Sequence, residues 1–371
     1  MSQTTARAEA SAAPAQRILF LGATGFIGSA VLHALLASHW DASFTLYGRN
    51  CAALSAIASL ASKGHAGSIT TAVYALDDAA LSEHVVASDA VVNCLGSEMP
   101  TLTSAILTSA RHKFEATRQR LVYLHTSGCD VLDRVLRPGD LEAWDVDFGP
   151  PSKLTVYTDA AELPPGQSPL SAVPDTPRRA HDALIDEANA AGYVRCYTLL
   201  PSCVYGPASN PFAAAGHAAR LSWQVPNLIR IALDRRAPAL LGNNDAQWTW
   251  NHVHVDDLAA LYALVFARAL AGAEGPRHFI AENGYYTLRE VADAIGREIA
   301  VRELGTATPS ALSPEERRQY ALELTYQTAV SRAVGSNARS AGWTPANDHA
   351  GFLASIAHDV AEVLCERERT S

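Results

Sequence analysis

The chain has 371 residues, 48% of them hydrophobic and 18% charged, with a formal net charge of -9. It can bury a sizeable core, and 29 Lys and Arg without a basic cluster leave no footprint for a phosphate backbone, which argues against a nucleic-acid partner. Six cysteines without a C-x-x-C pair fit reduced thiols in a cytoplasmic protein rather than a disulfide frame or a zinc site.

The opening "MSQTTARAEASAAPAQR", residues 1–17, lacks an apolar h-region and is expected to be a disordered leader rather than a secretory signal. "RILFLGATG" then gives an apolar run ending in glycine, "IGSAVLHALLAS" a helix, "SFTLYGR" a strand, and "ASDAVVNCLGS" and "RLVYLHTSG" two more buried strands. Strands alternating with helices predict a doubly wound, parallel-sheet α/β domain of the Rossmann type over residues 18–205, with ligand sites at the carboxyl ends of the strands. Residues 137–177 break the rhythm with Pro-Gly and Pro-Pro pairs and read as an insertion or lid. "PRRAHDALIDEANAAG" follows, helical from Ala180 but with a polar opening. After "CYTLLPSCVYGP" the pattern changes to scattered helices and loops, predicting a smaller substrate-binding lobe over 206–371. The apolar stretch from Leu258 to Ala273 is broken by Arg268 and too short to span a membrane.

Chemistry first shows in "LGATGFIGSAVL". Gly22, Gly25 and Gly28, with Thr24, Phe26 and Ile27 between them, join the first strand to the first helix, a spacing that brings backbone N–H groups and a helix dipole onto a pyrophosphate. A purely structural turn is the alternative. The second strand ends "LYGRN" with no acid where NAD enzymes read the ribose, so Arg49 would hold a 2'-phosphate and NADP is favoured over NAD, unless Arg49 is only a solvated surface residue.

With "LDD" at Leu76–Asp78, "VVNCLGS", "LVYLHTSG", "LLPSCVYGP", "HVHVDDLA" and "GWTP" following in order, the chain resembles an extended short-chain dehydrogenase/reductase of the NAD(P)-dependent epimerase/dehydratase type over nearly all its length after the leader. The resemblance implies that Asp77 or Asp78 borders the adenine and that Cys94, Leu95 and Gly96 line the cofactor ribose. It likewise implies that Ser127 is the catalytic Ser/Thr, and that Pro201 to Val204 pass the nicotinamide. It also implies a small-molecule substrate and leaves a homodimer open.

The departure from that family lies in the polar opening of the helix. Counting back from Pro201 places "RRAHD" where the family carries Tyr-x-x-x-Lys, so Arg178 stands for the Tyr and Asp182 for the Lys. No lysine of the chain has a tyrosine four residues before it, so no shifted copy exists. Asp182 can accept ribose hydroxyls, and Arg178 can clamp an anion or an oxyanion but cannot act as a base. Candidate proton carriers are His125, His181 and Tyr157; Tyr157 is equally placed to pack in a lid, and His181 to face solvent. His252 and His254 share a strand face without a third ligand, so a strand leading into a helix capped by Asp256 or Asp257 is expected rather than a metal site. Trp223, Trp248 and Trp250 either line an aromatic pocket or pack in a core. Two functions remain: an atypical NADP-dependent oxidoreductase or epimerase/dehydratase, or an NADP-binding sensor or scaffold without turnover.

Overall fold

The computed structural model describes residues 16–39, 41–73, 78–95, 99–132, 155–162, 167–170, 177–241, 248–324, 327 and 330–370. The first half runs β1 (Arg17–Leu21), α1 (Phe26–Ser38), β2 (Ser43–Gly48), α2 (Cys51–Ala61), β3 (Ile69–Val73), α3 (Asp78–Ala87), β4 (Ala90–Asn93), α4 (Pro100–Thr117) and β5 (Leu121–Thr126). Then come β6 (Val156–Thr158), β7 (Gln167–Pro169), α5 (Pro177–Ala190), β8 (Val194–Pro201) and β9 (Cys203–Tyr205). The remainder is α6 (Pro211–Ala214), α7 (Gln224–Arg235), β10 (Ala239–Leu240), β11 (Thr249–His254), α8 (Val255–Leu270), β12 (His278–Ala281), β13 (Tyr285–Thr287), α9 (Leu288–Val301), β14 (Ser310–Ala311), α10 (Pro314–Gln319), β15 (Arg332–Val334), α11 (Ser336–Ser340) and α12 (His349–Thr370).

Seven strands form one sheet in the order β12-β8-β5-β4-β1-β2-β3, every neighbouring pair parallel. Both faces are covered, which explains the continuous apolar runs: alternation along each strand sends successive side chains to opposite layers. Phe20, Leu46, Val92 and Leu124 pack with α1 and α8, whereas Leu19, Leu21, Val91 and Tyr123 pack with α3, α4 and α5. Two residues past Tyr123, His125 follows the same alternation toward α5, with Asn93 and Thr198 as its neighbours across the sheet. The polar opening of α5 therefore meets the carboxyl end of β5.

Several expectations shift. β1 begins at Arg17, inside the expected leader, because the Asp89 carboxylate accepts from both its backbone N–H (3.0 Å) and its guanidinium (2.8 Å). Two pieces of the expected lobe over 206–371 belong to the large sheet instead: α8 packs in the layer of α1, and β12 pairs with β8 as an edge strand. What remains has its own core, in which Trp248 and Trp250 are buried among Ile229, Val291, Ile295 and Phe352; Trp223 is half exposed. Part of the expected lid over 137–177 is anchored. β6 pairs with β15, and the Asp159 carboxylate accepts N–H bonds from Ile280, Ser336 and Asn337 at 2.7 to 3.0 Å. The cap of α8 is His254, whose side chain accepts from Asp256 N–H, while Asp257 turns away to accept from Ala346 and Asn347.

Candidate active site

The glycine turn is built by close approach. Gly22 has φ +94°, open to glycine at little cost, and a Cβ there would lie 2.8 Å from the Cys94 carbonyl. A Cβ on Gly28 would lie 2.0 Å from Gly22 O, so α1 can pack this near β1 only without that side chain. Gly25 caps α1 with no side-chain hydrogen bond, and Phe26, Ile27 and Gly28 form the first turn, whose N–H groups have no partner within the helix. That bare turn fits a dinucleotide pyrophosphate. Thr24, half-buried, accepts from Ala219 N–H through its carbonyl and so ties the turn to the second lobe.

Around the turn, Arg49 is exposed just past β2, one residue before Asn50, which caps α2 through Ala53 N–H. Cys94 and Leu95 are half-buried at the end of β4, Pro201 is buried at the end of β8 and Val204 lies in β9. Asp77 and Gly96 lie outside the described residues. Arg178 falls in the first turn of α5, and its side chain also lies outside them.

The remaining catalytic candidates separate into two groups. Tyr157 sits on β6, half-buried against the cluster of Cys129, Leu200 and Ile280. Ser127, by contrast, lies just past β5 and its Oγ donates to Asp182 Oδ2 at 2.8 Å. Asp182 is only 2% exposed, and its Oδ1 faces His125 Nε2 at 3.8 Å, a gap across which neither atom makes a hydrogen bond. The carboxylate is thus turned inward, toward Ser127 and His125. His181 is buried rather than solvent-facing, its ring centroid 5.2 Å from that of His125.

Burial is the main electrostatic force here. It raises the Asp182 carboxyl above its ordinary value, against the hydrogen bond from Ser127 and the nearby His278 and His181. Burial, and then His181, lowers His125 to about 3, so its imidazole is neutral at physiological pH. Sequence reasoning missed the two residues behind it. Tyr123 Oη contacts His125 Nδ1 at 3.2 Å and accepts from Asn93 Nδ2 at 3.1 Å; Asn93 Oδ1 in turn accepts from Leu95 N–H at 3.1 Å. The available signal was the period of two in "VYLHTS", which puts Tyr123, His125 and Ser127 in one alternating series.

Among the described residues no group of three His, Cys, Asp or Glu could hold a metal, and no helix is long and apolar enough to cross a membrane.

Parallel sheet, glycine turn and strand-end Ser define a mixed α/β protein with a Rossmann-type sheet. Residues 18–113 match the family model of the saccharopine dehydrogenase NADP binding domain. Over more than nine-tenths of the chain, the fold matches that of epimerases and dehydratases. It is similar to the dTDP-glucose 4,6-dehydratase of Bacillus anthracis, solved with NAD, at 15% identity over 94% of this chain and 97% of that one, TM-score 0.60. It is similar also to the UDP-glucose 4-epimerase of Bifidobacterium longum, solved with NAD+ and UDP, at 13% identity over 93% and 98%, TM-score 0.60. A nucleoside-diphosphate-sugar epimerase of Pseudomonas aeruginosa gives 16% identity over 94% and 98%, TM-score 0.57. No curated protein matches the sequence.

Proposed function

We propose that the chain is an atypical NADP-dependent oxidoreductase or epimerase/dehydratase of the extended short-chain dehydrogenase/reductase type, acting on a hydroxyl or carbonyl of a small organic molecule. The observation that carries this reading is the 2.8 Å hydrogen bond from Ser127 Oγ to Asp182 at the carboxyl end of β5. Gly22, Gly25, Gly28 and the first turn of α1 would hold the pyrophosphate, Cys94 and Leu95 the nicotinamide-side ribose, and Arg49 the 2'-phosphate. When bound, the nicotinamide supplies hydride transfer at the substrate carbon.

The protein's own part is the proton. With Asp182 ionised, Ser127 donates to it and its oxygen accepts the proton of a substrate hydroxyl as its own passes to the carboxylate. In the reverse direction protonated Asp182 donates to Ser127, whose proton goes to the substrate carbonyl oxygen. Ser127 and Asp182 together thus take over the acid–base work of the missing Tyr, and burial of Asp182 brings its pKa nearer the operating pH. Substituting Ser127→Ala should slow turnover on the order of a hundredfold, with NADPH affinity kept, since a small strand-end hydroxyl adds little to dinucleotide binding. NADPH oxidation across a broad panel of carbonyl compounds, compared between wild type and variant, tests it; unaltered turnover in the variant means that the chemistry lies elsewhere.

One observation favours a second reading, a non-catalytic NADP-binding sensor: Ser127 is 6% exposed and its proton already engages Asp182, an arrangement that also suits a closed structural contact. Tight NADPH binding with no turnover on any compound of the panel would select it.

On either reading NADP(H) should bind more tightly than NAD(H). Arg49→Ala should remove about 1.5 to 3 kcal/mol of that preference, the contribution of one charged phosphate contact. Titration of both cofactors into both proteins measures it, and equal affinities in the wild type would refute the role of Arg49.

A further inference from the structure

We infer that His125 is a positioning residue, held as the Nε2–H tautomer by a buried chain from the β4 end, so that a polarised N–H faces Asp182 and sets the proton affinity of the Ser127–Asp182 pair. This rests on the reading of that pair as the proton-handling site. His125 is fully buried and cannot meet a substrate; it acts through Asp182.

The tautomer follows from donors and acceptors taken one by one. Leu95 N–H donates to Asn93 Oδ1, which fixes the orientation of the amide and leaves Nδ2 as a donor. Asn93 Nδ2 donates to Tyr123 Oη, occupying a lone pair of that oxygen. The Thr103 hydroxyl on α4 also faces this oxygen as a donor, so the phenol proton is left for His125 Nδ1, 3.2 Å away, and burial holds that phenol well above its ordinary pKa, so the proton stays. A neutral imidazole that accepts at Nδ1 carries its hydrogen on Nε2. That nitrogen faces Asp182 Oδ1 at 3.8 Å, and both atoms are buried without a hydrogen bond. An N–H dipole on this line stabilises the ionised carboxylate. The opposite tautomer would present a bare lone pair, which favours a protonated Asp182 donating to it.

Other groups bear on the same carboxylate: His181 and Asp186 on α5, His278 on β12, which pairs with Asp186 at 3.0 Å, and Ser127. Cys196 on β8 faces the Tyr123 phenol. None of these is altered by the test below. The chain begins at Leu95, in the segment assigned to the cofactor ribose, so the arrangement also joins cofactor site and proton site through three side chains.

The test is NMR on the full, ligand-free chain. Imidazole 15N shifts should show His125 protonated at Nε2 and bare at Nδ1. In Tyr123→Phe, which keeps the ring and its packing, the Nε2–H signature should weaken and the 13C-detected titration of the Asp182 carboxyl should move up by about one pH unit or more. His125→Phe should move it in the same direction. An Nδ1–H tautomer in the wild type, or an Asp182 midpoint unmoved in Tyr123→Phe, overturns the inference. These readouts need no turnover, so a failed search for substrate would count against the proposed reaction and leave the positioning role standing. Where turnover is found, Tyr123→Phe should displace the pH profile of kcat in step with the Asp182 titration and leave KM unchanged; a fall in kcat without displacement marks a merely structural role.

Discussion

Asp182→Asn is expected to lower turnover by about 10²- to 10⁴-fold, the range for loss of a positioned acid–base group, while leaving NADPH affinity nearly unchanged. The amide fills the same space and can still hydrogen-bond Ser127, but it can neither take up nor release a proton. Because both carboxylate oxygens point inward, to Ser127 and His125, cofactor binding should not notice the change. The pH profiles carry the sharper signature. Burial raises the Asp182 pKa, so reduction, which needs the protonated acid, should fall as pH rises through that value. Oxidation, which needs the carboxylate, should rise through the same value, and both arms should vanish in the Asn variant. Steady-state rates in both directions against pH, beside a cofactor titration, decide it. An Asn variant with near wild-type rates, or weak NADPH binding as its main defect, removes Asp182 from the reaction.

That Asp182 meets Ser127 could not be read from the sequence, although both residues stood out there. The glycine turn was legible because its cause is local: a positive φ at Gly22 and the 2.0 Å approach at Gly28 can be met only by glycine, and the spacing announces them. The buried strands were legible for the same kind of reason, since a parallel sheet covered on both faces demands continuous apolar runs. What escaped depends on contacts between distant segments. His278–Ala281 is four residues long and becomes a sheet strand only by pairing with β8, and Val156–Thr158 is a strand because Arg332–Val334 lies on one side of it and Gln167–Pro169 on the other. The ribose-binding role expected for Asp182 came from its place in the family pattern, which says nothing of which way a shorter, acidic side chain turns. His254 was read as part of a strand leading to an Asp cap; its imidazole, already beside the first turn of α8, accepts the N–H bond that an aspartate would have taken.

Asp359→Asn is expected to stabilise the protein by about 2 to 4 kcal/mol at pH 8 and to leave it little changed at pH 4. Asp359 lies on α12, 2% exposed, with Ile356, Val360 and Val363 of the same helix in the core of the second lobe, and its Oδ2 has no hydrogen bond. Burial first, and the neighbouring Glu362 second, raise its pKa from 3.8 to about 7. The folded state therefore holds this proton more tightly than the unfolded chain, and the contribution to stability is fully present below pH 4. It is lost as pH rises from there to about 7; above that the ionised carboxylate sits in an apolar core at a constant cost. A shift of this size corresponds to about 4 kcal/mol in all, and an amide, which keeps a polar group in the same place but never ionises, should recover most of it. Urea unfolding of wild type and variant at pH 4, 6 and 8 gives the comparison. The wild-type curve should fall over that interval relative to the variant, and parallel curves would mean that water or a rearranged α12 reaches Asp359 and that its charge is not buried at all.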